Sequence, residues 1–252
     1  MKSFKGIHHV SFDVWGTLIR SDPRHSPARN QKILDFIVRH NLLSNPPSIE
    51  ELSTKFKAIK QQIDHVMDST GMQVPTSACY MMLLAYLGVD AKKLTIDCID
   101  KLEAEVVKVF YMYPPLLIDG VKDMLDTLEE RNITMNICCN SSFIRGEELQ
   151  QNFIQRGVSR FFSFTLYSDQ WGICKPNPLF FAKVKTGVLD LTKEHQNSII
   201  HIGDNPMTDG ASGRYNFPSL IVNHASSEYK ISDVVNLINV PENEGVNQLL
   251  TA

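Results

Sequence analysis

Four short apolar runs constrain this chain more than any other feature: IHHVSFD at 7–13, ITMNICCN at 133–140, SIIHIGD at 198–204 and SLIV at 219–222. Each is bounded by polar or turn residues, which reads as a buried strand. SFTLYSD at 163–169 is a weaker run of the same kind. From 120 onward helical patterns fall between them. In GVKDMLDTLEERN at 120–132, Val121, Met124, Leu125 and Leu128 share one helical face. Strand alternating with helix predicts an α/β fold, a doubly wound parallel sheet covered on both faces. In such sheets chemistry gathers beyond the carboxyl ends of the strands. Asp13, Asn140 and Asp204 close three of the runs.

Residues 21 to 114 break the alternation. NQKILDFIVRHNLL, SIEELSTKFKAIKQQIDHVMDS, TSACYMMLLAYLG and LTIDCIDKLEAEVVKVFYM all read as helices, and none of this stretch reads as a strand. Ser48 followed by Glu51 has the spacing of a capping box. Pro114 and Pro115 stop the last helix. The chain therefore divides into an α/β core, 1–20 and 115–252, and an inserted all-helical unit, 21–114. The terminal NVPENEGVNQLLTA fits either a docked helix or a loose tail.

With 252 residues the chain has room for such a core and insert. A formal net charge of −3 gives no reason to expect nucleic acid or an anionic membrane surface as partner. No apolar stretch approaches the roughly 20 residues needed to cross a bilayer, and the first residues lack the apolar core of a signal peptide. The five cysteines, 79, 98, 138, 139 and 174, form no C-x-x-C pair, so free thiols in a reducing cytoplasm are expected.

The strand ends carry the chemistry. GDNPMTD at 203–209 sets Asp204 and Asp209 after one strand, and Asp13 follows another. Lys175 follows the weaker run, in GICKPNP. Carboxylates meeting from separate strands repel unless something offsets their charge. A divalent cation does so, and hard oxygen ligands favour Mg²⁺.

The set FDVWGTL, ICCNSS, GICKPNPLFF and IGDNPMTD resembles the four motifs of the haloacid dehalogenase-like (HAD) hydrolase superfamily, in the order of members with a helical cap inserted after the first motif. The resemblance spans essentially the whole chain, although the cap carries no motif of its own. It implies a Rossmann-like core and a Mg²⁺-dependent phosphohydrolase acting on a small phosphorylated metabolite. Asp13 would be the nucleophile and form an aspartyl-phosphate. Lys175 would steady its charge and that of the phosphoryl group. Asp13, Asp204 and the backbone carbonyl of Trp15 would ligate the metal. Asp209 would hold the metal's waters or Lys175. Thr17, Asn140 and Ser141 would line the phosphate site.

Two positions depart from that pattern. Phosphatases of the family have a second Asp two residues after the nucleophile, as general acid and base. Here it is Trp15, whose indole cannot exchange a proton near neutrality. Such help is worth about 10²–10⁴ in rate, so slow turnover or a preference for good leaving groups is expected. Cys139 replaces the hydroxyl residue expected before Asn140. Of possible replacement acids, His25 alone has a suitable ordinary pKa, yet it reads with Asp22 and Arg24 as part of a solvated linker. Arg24, Arg29 and Arg145 are candidates for holding an anionic substrate. His8, His9 and His201 lie within strand patterns and read as packing residues.

Two alternatives stand beside this reading. Haloacid dehalogenases resemble the chain in having an aromatic residue at the Trp15 position, but they lack the acidic pair of GDNPMTD. A catalytically weak protein that binds a phosphorylated ligand would also account for Trp15 and Cys139.

Overall fold

The strand runs pair much as their pattern predicts. The computed structural model describes residues 4–192, 198–215, 217–222 and 229–239. Its elements in chain order are β1 (Phe4–Lys5), β2 (His9–Phe12), β3 (Ile19–Arg20), α1 (His25–Arg39), α2 (Ile49–Thr70), α3 (Thr76–Tyr86), α4 (Ile96–Met112) and β4 (Leu116–Leu117). There follow α5 (Val121–Glu130), β5 (Thr134–Cys139), α6 (Gly146–Gln155), β6 (Phe164–Tyr167), α7 (Pro178–Thr192), β7 (Ile199–Gly203), β8 (Ser219–Ile221), α8 (Val234–Leu237) and β9 (Ile238–Asn239).

Five strands form one parallel sheet in the order β6-β5-β2-β7-β8. Val10 faces Met135 on one side and Ile200 on the other. The chain winds outward from β2 through β5 to β6, then returns to β2's other side as β7. The direction of winding thus reverses between β2 and β7, which opens a crevice at their carboxyl ends.

Side chains alternate across the sheet and separate two layers. Phe12, Ile137, Cys139, Ile200 and Ile202 pack with α5, α6 and α8. Cys138, Leu166 and Ile199 pack with α7 through Phe180, Phe181, Val184 and Val188. The α7-facing side also buries His9, Ser11, Asn136 and His201.

Helices α1–α4 lie between β3 and β4 and bury a core of their own, with Phe36, Phe56, Ile63, Tyr80, Leu83, Leu102 and Val106 in it. On α2 the buried residues Leu52, Phe56, Ile59, Ile63 and Met67 recur at helical spacing. Ser48 Oγ accepts from Glu51 N at 3.1 Å, the N-cap bond its spacing predicts. Helix α1 starts at His25, five residues before its apolar pattern, because Pro27 falls in the first turn, where a missing N–H costs nothing.

Two features lie outside the sequence pattern. The two-residue strands β3 and β4 pair antiparallel at the base of the helical block, and β1 pairs parallel with β9. The terminal segment read as helix or tail falls, past Asn239, outside the described residues. Among the described residues, no helix is long and apolar enough to cross a membrane.

Candidate active site

Asp13 is the first residue beyond β2. Its N–H donates to Ile202 O at 2.8 Å, which ties it to β7 and aims its side chain into the crevice. The turn that follows closes through Val14 O, which accepts from Leu18 N and Ile19 N. Gly16 is required there twice over. Its φ is +74°, and a Cβ would lie 2.2 Å from Asp204 Oδ2.

Asp204 follows β7, and Asp209 comes back toward the strand five residues later. One ligand oxygen of each of Asp13, Asp204 and Asp209 lies within 4.8 Å of the others. Lys175, almost fully buried, bridges two of them: its Nζ donates to Asp13 Oδ1 at 2.7 Å and to Asp209 Oδ1 at 2.6 Å. Asp209 Oδ1 also accepts from His201 Nε2 at 3.0 Å, and its Oδ2 accepts from Asn205 N at 3.0 Å. His201 Nδ1 lies 3.1 Å from Ser11 Oγ. Both carboxylate oxygens of Asp209 are thus engaged by the protein, so this residue is built first to hold Lys175.

Protonation states follow from these partners. Burial would push Asp209 up, but Lys175 and His201 hold it well below the usual carboxylate range. Burial would lower Lys175, and Asp13 and Asp209 reverse that, so it stays an ammonium. Burial lowers His201 and outweighs its bond to Asp209, so the ring is neutral. A neutral ring facing a carboxylate donates from Nε2, which leaves Nδ1 to accept from Ser11. Burial, helped by Asp209 and Asp204, pushes Asp13 up to about 6 against the pull of Lys175. Three carboxylates facing one ammonium leave two negative charges, a donor set that fits a hard divalent cation. Asp13 and Asp204 could hold such an ion. The Trp15–Ile19 bridge uses Val14 O and Gly16 N, which leaves the Trp15 carbonyl outside it.

The second motif lies opposite. Asn140 Nδ2 donates to Lys175 O and Asn140 Oδ1 accepts from Lys175 N, both at 2.8 Å. The Asn140 amide therefore fixes the Lys175 backbone. Ser141 N donates to Ser168 Oγ at 2.7 Å, while Ser141 Oγ is buried without a partner. Thr17 Oγ1 donates to Asp13 Oδ2 at 3.3 Å. Burial pushes the Cys139 thiol far up, so it stays protonated.

Asp13, Asn140, Ser141, Lys175, Asp204 and Asp209 line a cavity of about 390 Å³, whereas Thr17, Cys139 and His201 lie outside its lining. Trp15 lines it, half-buried against the sheet core. The far wall comes from the helical block: His25, Ser26 and Arg29 of α1, and Phe56, Lys60, Asp64, Met67 and Asp68 of α2. This corrects the linker reading of His25. It is the first residue of α1, its Nε2 is buried without a partner, and burial together with Arg29 lowers it to about 4. Asp22 and Arg24 pair with each other at 2.7 Å, so of that group only Asp22 and Arg24 satisfy one another locally. Burial, with Asp64 nearby, raises Asp68, whose side chain bonds Asn205.

His201 is fully buried in β7, as a packing residue would be, and it also partners Asp209. The signal in the sequence is a polar residue inside an otherwise apolar strand run. Asp64, Lys60 and Asp68 carry no such signal, since they read as an ordinary solvated helix face.

A model of the haloacid dehalogenase-like hydrolases matches residues 7–215, from the strand before Asp13 past Asp209. The chain belongs to this family. HAD-fold structures resemble it over nearly its whole length. The HAD-hydrolase YfnB from Bacillus subtilis, solved with magnesium bound, is 16% identical with a TM-score of 0.63, covering 95% of this chain and 100% of its own. The 2-haloacid dehalogenase from Pseudomonas syringae pv. Tomato DC3000 is 17% identical with a TM-score of 0.60, covering 92% and 97%. A structure described as a β-phosphoglucomutase from Thermotoga maritima is 15% identical with a TM-score of 0.62, covering 91% and 97%. At these identities the likeness is one of fold, and it spans HAD proteins of more than one chemistry. A search of curated proteins finds no match to the chain.

Proposed function

We propose that this HAD-like hydrolase is a Mg²⁺-dependent phosphohydrolase of a small phosphorylated metabolite, with Asp13 as nucleophile. The observation that carries the reading is the cluster of Asp13, Asp204 and Asp209 around Lys175, more negative charge than a C–X hydrolase needs beside its nucleophile. Mg²⁺ held by Asp13, Asp204 and the Trp15 carbonyl would neutralise charge on the phosphoryl oxygens. In the first step an Asp13 oxygen forms a bond to phosphorus as the bond to the leaving oxygen breaks. In the second, water attacks the aspartyl-phosphate, releases inorganic phosphate and restores the carboxylate. Lys175 donates to Asp13 and stabilises charge on the phosphoryl group, and Asp209 with His201 keeps it protonated and in place. Ser141 Oγ, unpartnered at the cavity, and the backbone N–H groups of Val14 and Trp15 bind phosphoryl oxygens. The helical block, 21–114, acts as a cap that keeps water from the site. A cytoplasmic location and a small-molecule partner, with no nucleic acid or membrane, complete the proposal.

Trp15 decides which substrates turn over well. With no carboxyl group to protonate the leaving oxygen, alkyl phosphates fall behind aryl or acyl phosphates by about 10²–10⁴. The test is hydrolysis of an aryl and an acyl phosphate, with and without Mg²⁺. The expected result is Mg²⁺-dependent phosphate release that Asp13→Asn lowers on the order of 10⁴-fold or more. No release by folded, Mg²⁺-binding protein overturns the proposal. The second reading, a C–X hydrolase, is favoured by the aromatic Trp15 alone. It requires metal-independent halide release from a 2-haloacid, measured in the same assay.

A further inference from the structure

Among the described residues, Arg29 is the cation of the cavity wall left without a counter-charge. Lys175 pairs with Asp13 and Asp209, and Lys60 pairs with Asp64. Arg24 is mostly exposed and pairs with Asp22, and Arg145 pairs with Glu103. Among the described residues, Arg29 donates only to Asn30 Oδ1, from Nε at 3.1 Å and Nη2 at 2.9 Å. Nη1 and the second Nη2 hydrogen are left for another acceptor. Its guanidinium lies 3.5 Å from the Phe56 ring centroid, which fixes the plane of the fork. Burial lowers it to about 10, so it remains charged while partly desolvated. A cation in that state gains most from a carboxylate or phosphate, whose paired oxygens match the guanidinium fork.

A second unsatisfied group lies beside it. His25 is one helical turn earlier on α1, at the i, i+4 spacing that places both side chains on one face. It lines the same cavity with its buried, unpartnered Nε2. The negative charges at the cavity's other end, Asp13, Asp204 and Asp209, belong to the core. Asp68 is drawn toward that end through Asn205.

We infer that the substrate carries a second anionic group, a carboxylate or a phosphate, and that Arg29 with His25 binds it at the α1 wall while the reacting phosphate meets Asp13. The inference rests on the phosphohydrolase reading only for which group faces Asp13. Three non-hydrolysable probes test it by calorimetry in Mg²⁺ buffer: propylphosphonate, 3-phosphonopropionate, and propane-1,3-diphosphonate. They share a phosphonate and differ in the far end, so the last two separate carboxylate from phosphate as the preferred group. Wild-type protein is expected to bind at least one of the doubly anionic probes on the order of 10- to 100-fold more tightly than propylphosphonate. Arg29→Met should bring that preference to within a few-fold of one, and Arg29→Lys, which restores the charge without the fork, should recover part of it. Equal affinities in wild type, no binding of either doubly anionic probe, or an undiminished preference in Arg29→Met would each overturn the inference. Failure of aryl phosphate hydrolysis would count against the phosphohydrolase reading alone, because heats of binding do not depend on turnover.

Discussion

His9 shows how a polar side chain can be built into a parallel sheet. It is fully buried at the start of β2, with Nδ1 2.8 Å from Thr134 Oγ1 and Nε2 2.9 Å from Asn136 Oδ1, both on β5. Its ring stacks on Phe164 at 5.7 Å. Burial lowers it from 6.5 to about 4, against the pull of Asn136, so the folded protein holds it neutral. Unfolded chain takes up a proton at His9 below pH 6.5, and folded chain only near 4. The stabilisation is complete above 6.5 and is lost as pH falls through that window, on the order of 3 kcal/mol in all. Urea unfolding of wild type and His9→Gln should therefore show a stability gap that narrows by about 2–3 kcal/mol between neutral pH and about pH 4.5. A gap that stays constant would mean His9 does not stay neutral on folding. The sequence placed His9 and His201 in strands, and both are there. It could not say that they face α7, because alternation fixes which residues share a face and not which face is polar. On this sheet that face links the strands through His9 to Asn136 and Ser11 to His201, and His201 carries the link on to Asp209.

Helix α2 joins the core at its last turn. Gly71 ends it at φ +66°, and Gly71 O accepts from Cys174 N at 3.0 Å and Asn177 Nδ2 at 3.2 Å. These residues flank Lys175, so the helix end helps fix the loop that presents the lysine. A Cβ on Gly71 would lie 2.8 Å from Asn177 Cβ and 3.0 Å from Asn177 N, in a backbone conformation L residues disfavour. Gly88 has φ +95° and nothing within 4 Å of a Cβ. Gly88→Ala should thus cost about 1 kcal/mol for conformation alone. Gly71→Ala should cost about 2–3 kcal/mol, since crowding adds to the same penalty. Equal costs by chemical unfolding would refute the docking role of Gly71. The helices themselves were legible: α2 begins after Ser48 and α4 ends before Pro114, as spacing and prolines require. The pairs β3–β4 and β1–β9 were not, because two residues carry no period. Nor was the cavity wall on α1 and α2. A charged helix face reads the same whether it meets water or a cavity, and the choice is made by how the block docks.

The site and the helical block share one piece of chain, the loop after β5. Asn140 and Ser141 stand at the end of it that lines the candidate site, and two residues on Phe143 leaves the core altogether. Its ring enters the core of the block, 4.6 Å from Phe56 and 5.2 Å from Tyr80. Tyr80 Oη donates to Phe143 O at 2.9 Å, Gln73 Nε2 donates to Ser141 O at 2.9 Å, and Arg145 Nη2 donates to Glu103 Oε2 at 2.7 Å. Residues from α3, α4 and the turn after α2 thus grip the loop that carries half of the candidate phosphate site. Phe143→Ala should cost about 3–5 kcal/mol, as for an aromatic ring lost from a core. The cost should not be spread evenly. Hydrogen exchange is expected to speed in α2, α3 and residues 140–145, where the ring is gripped, while β2, β5 and β7 keep their protection. Phe143→Leu, which fills part of the same space, should fall between the two. Uniform loss of protection across sheet and helices would mean that the molecule unfolds as one unit, with the Phe143 ring no more than a core residue. Loss confined to the block and the loop would make this ring the mechanical joint between them, and would place the order of the phosphate site under the control of the helices above it.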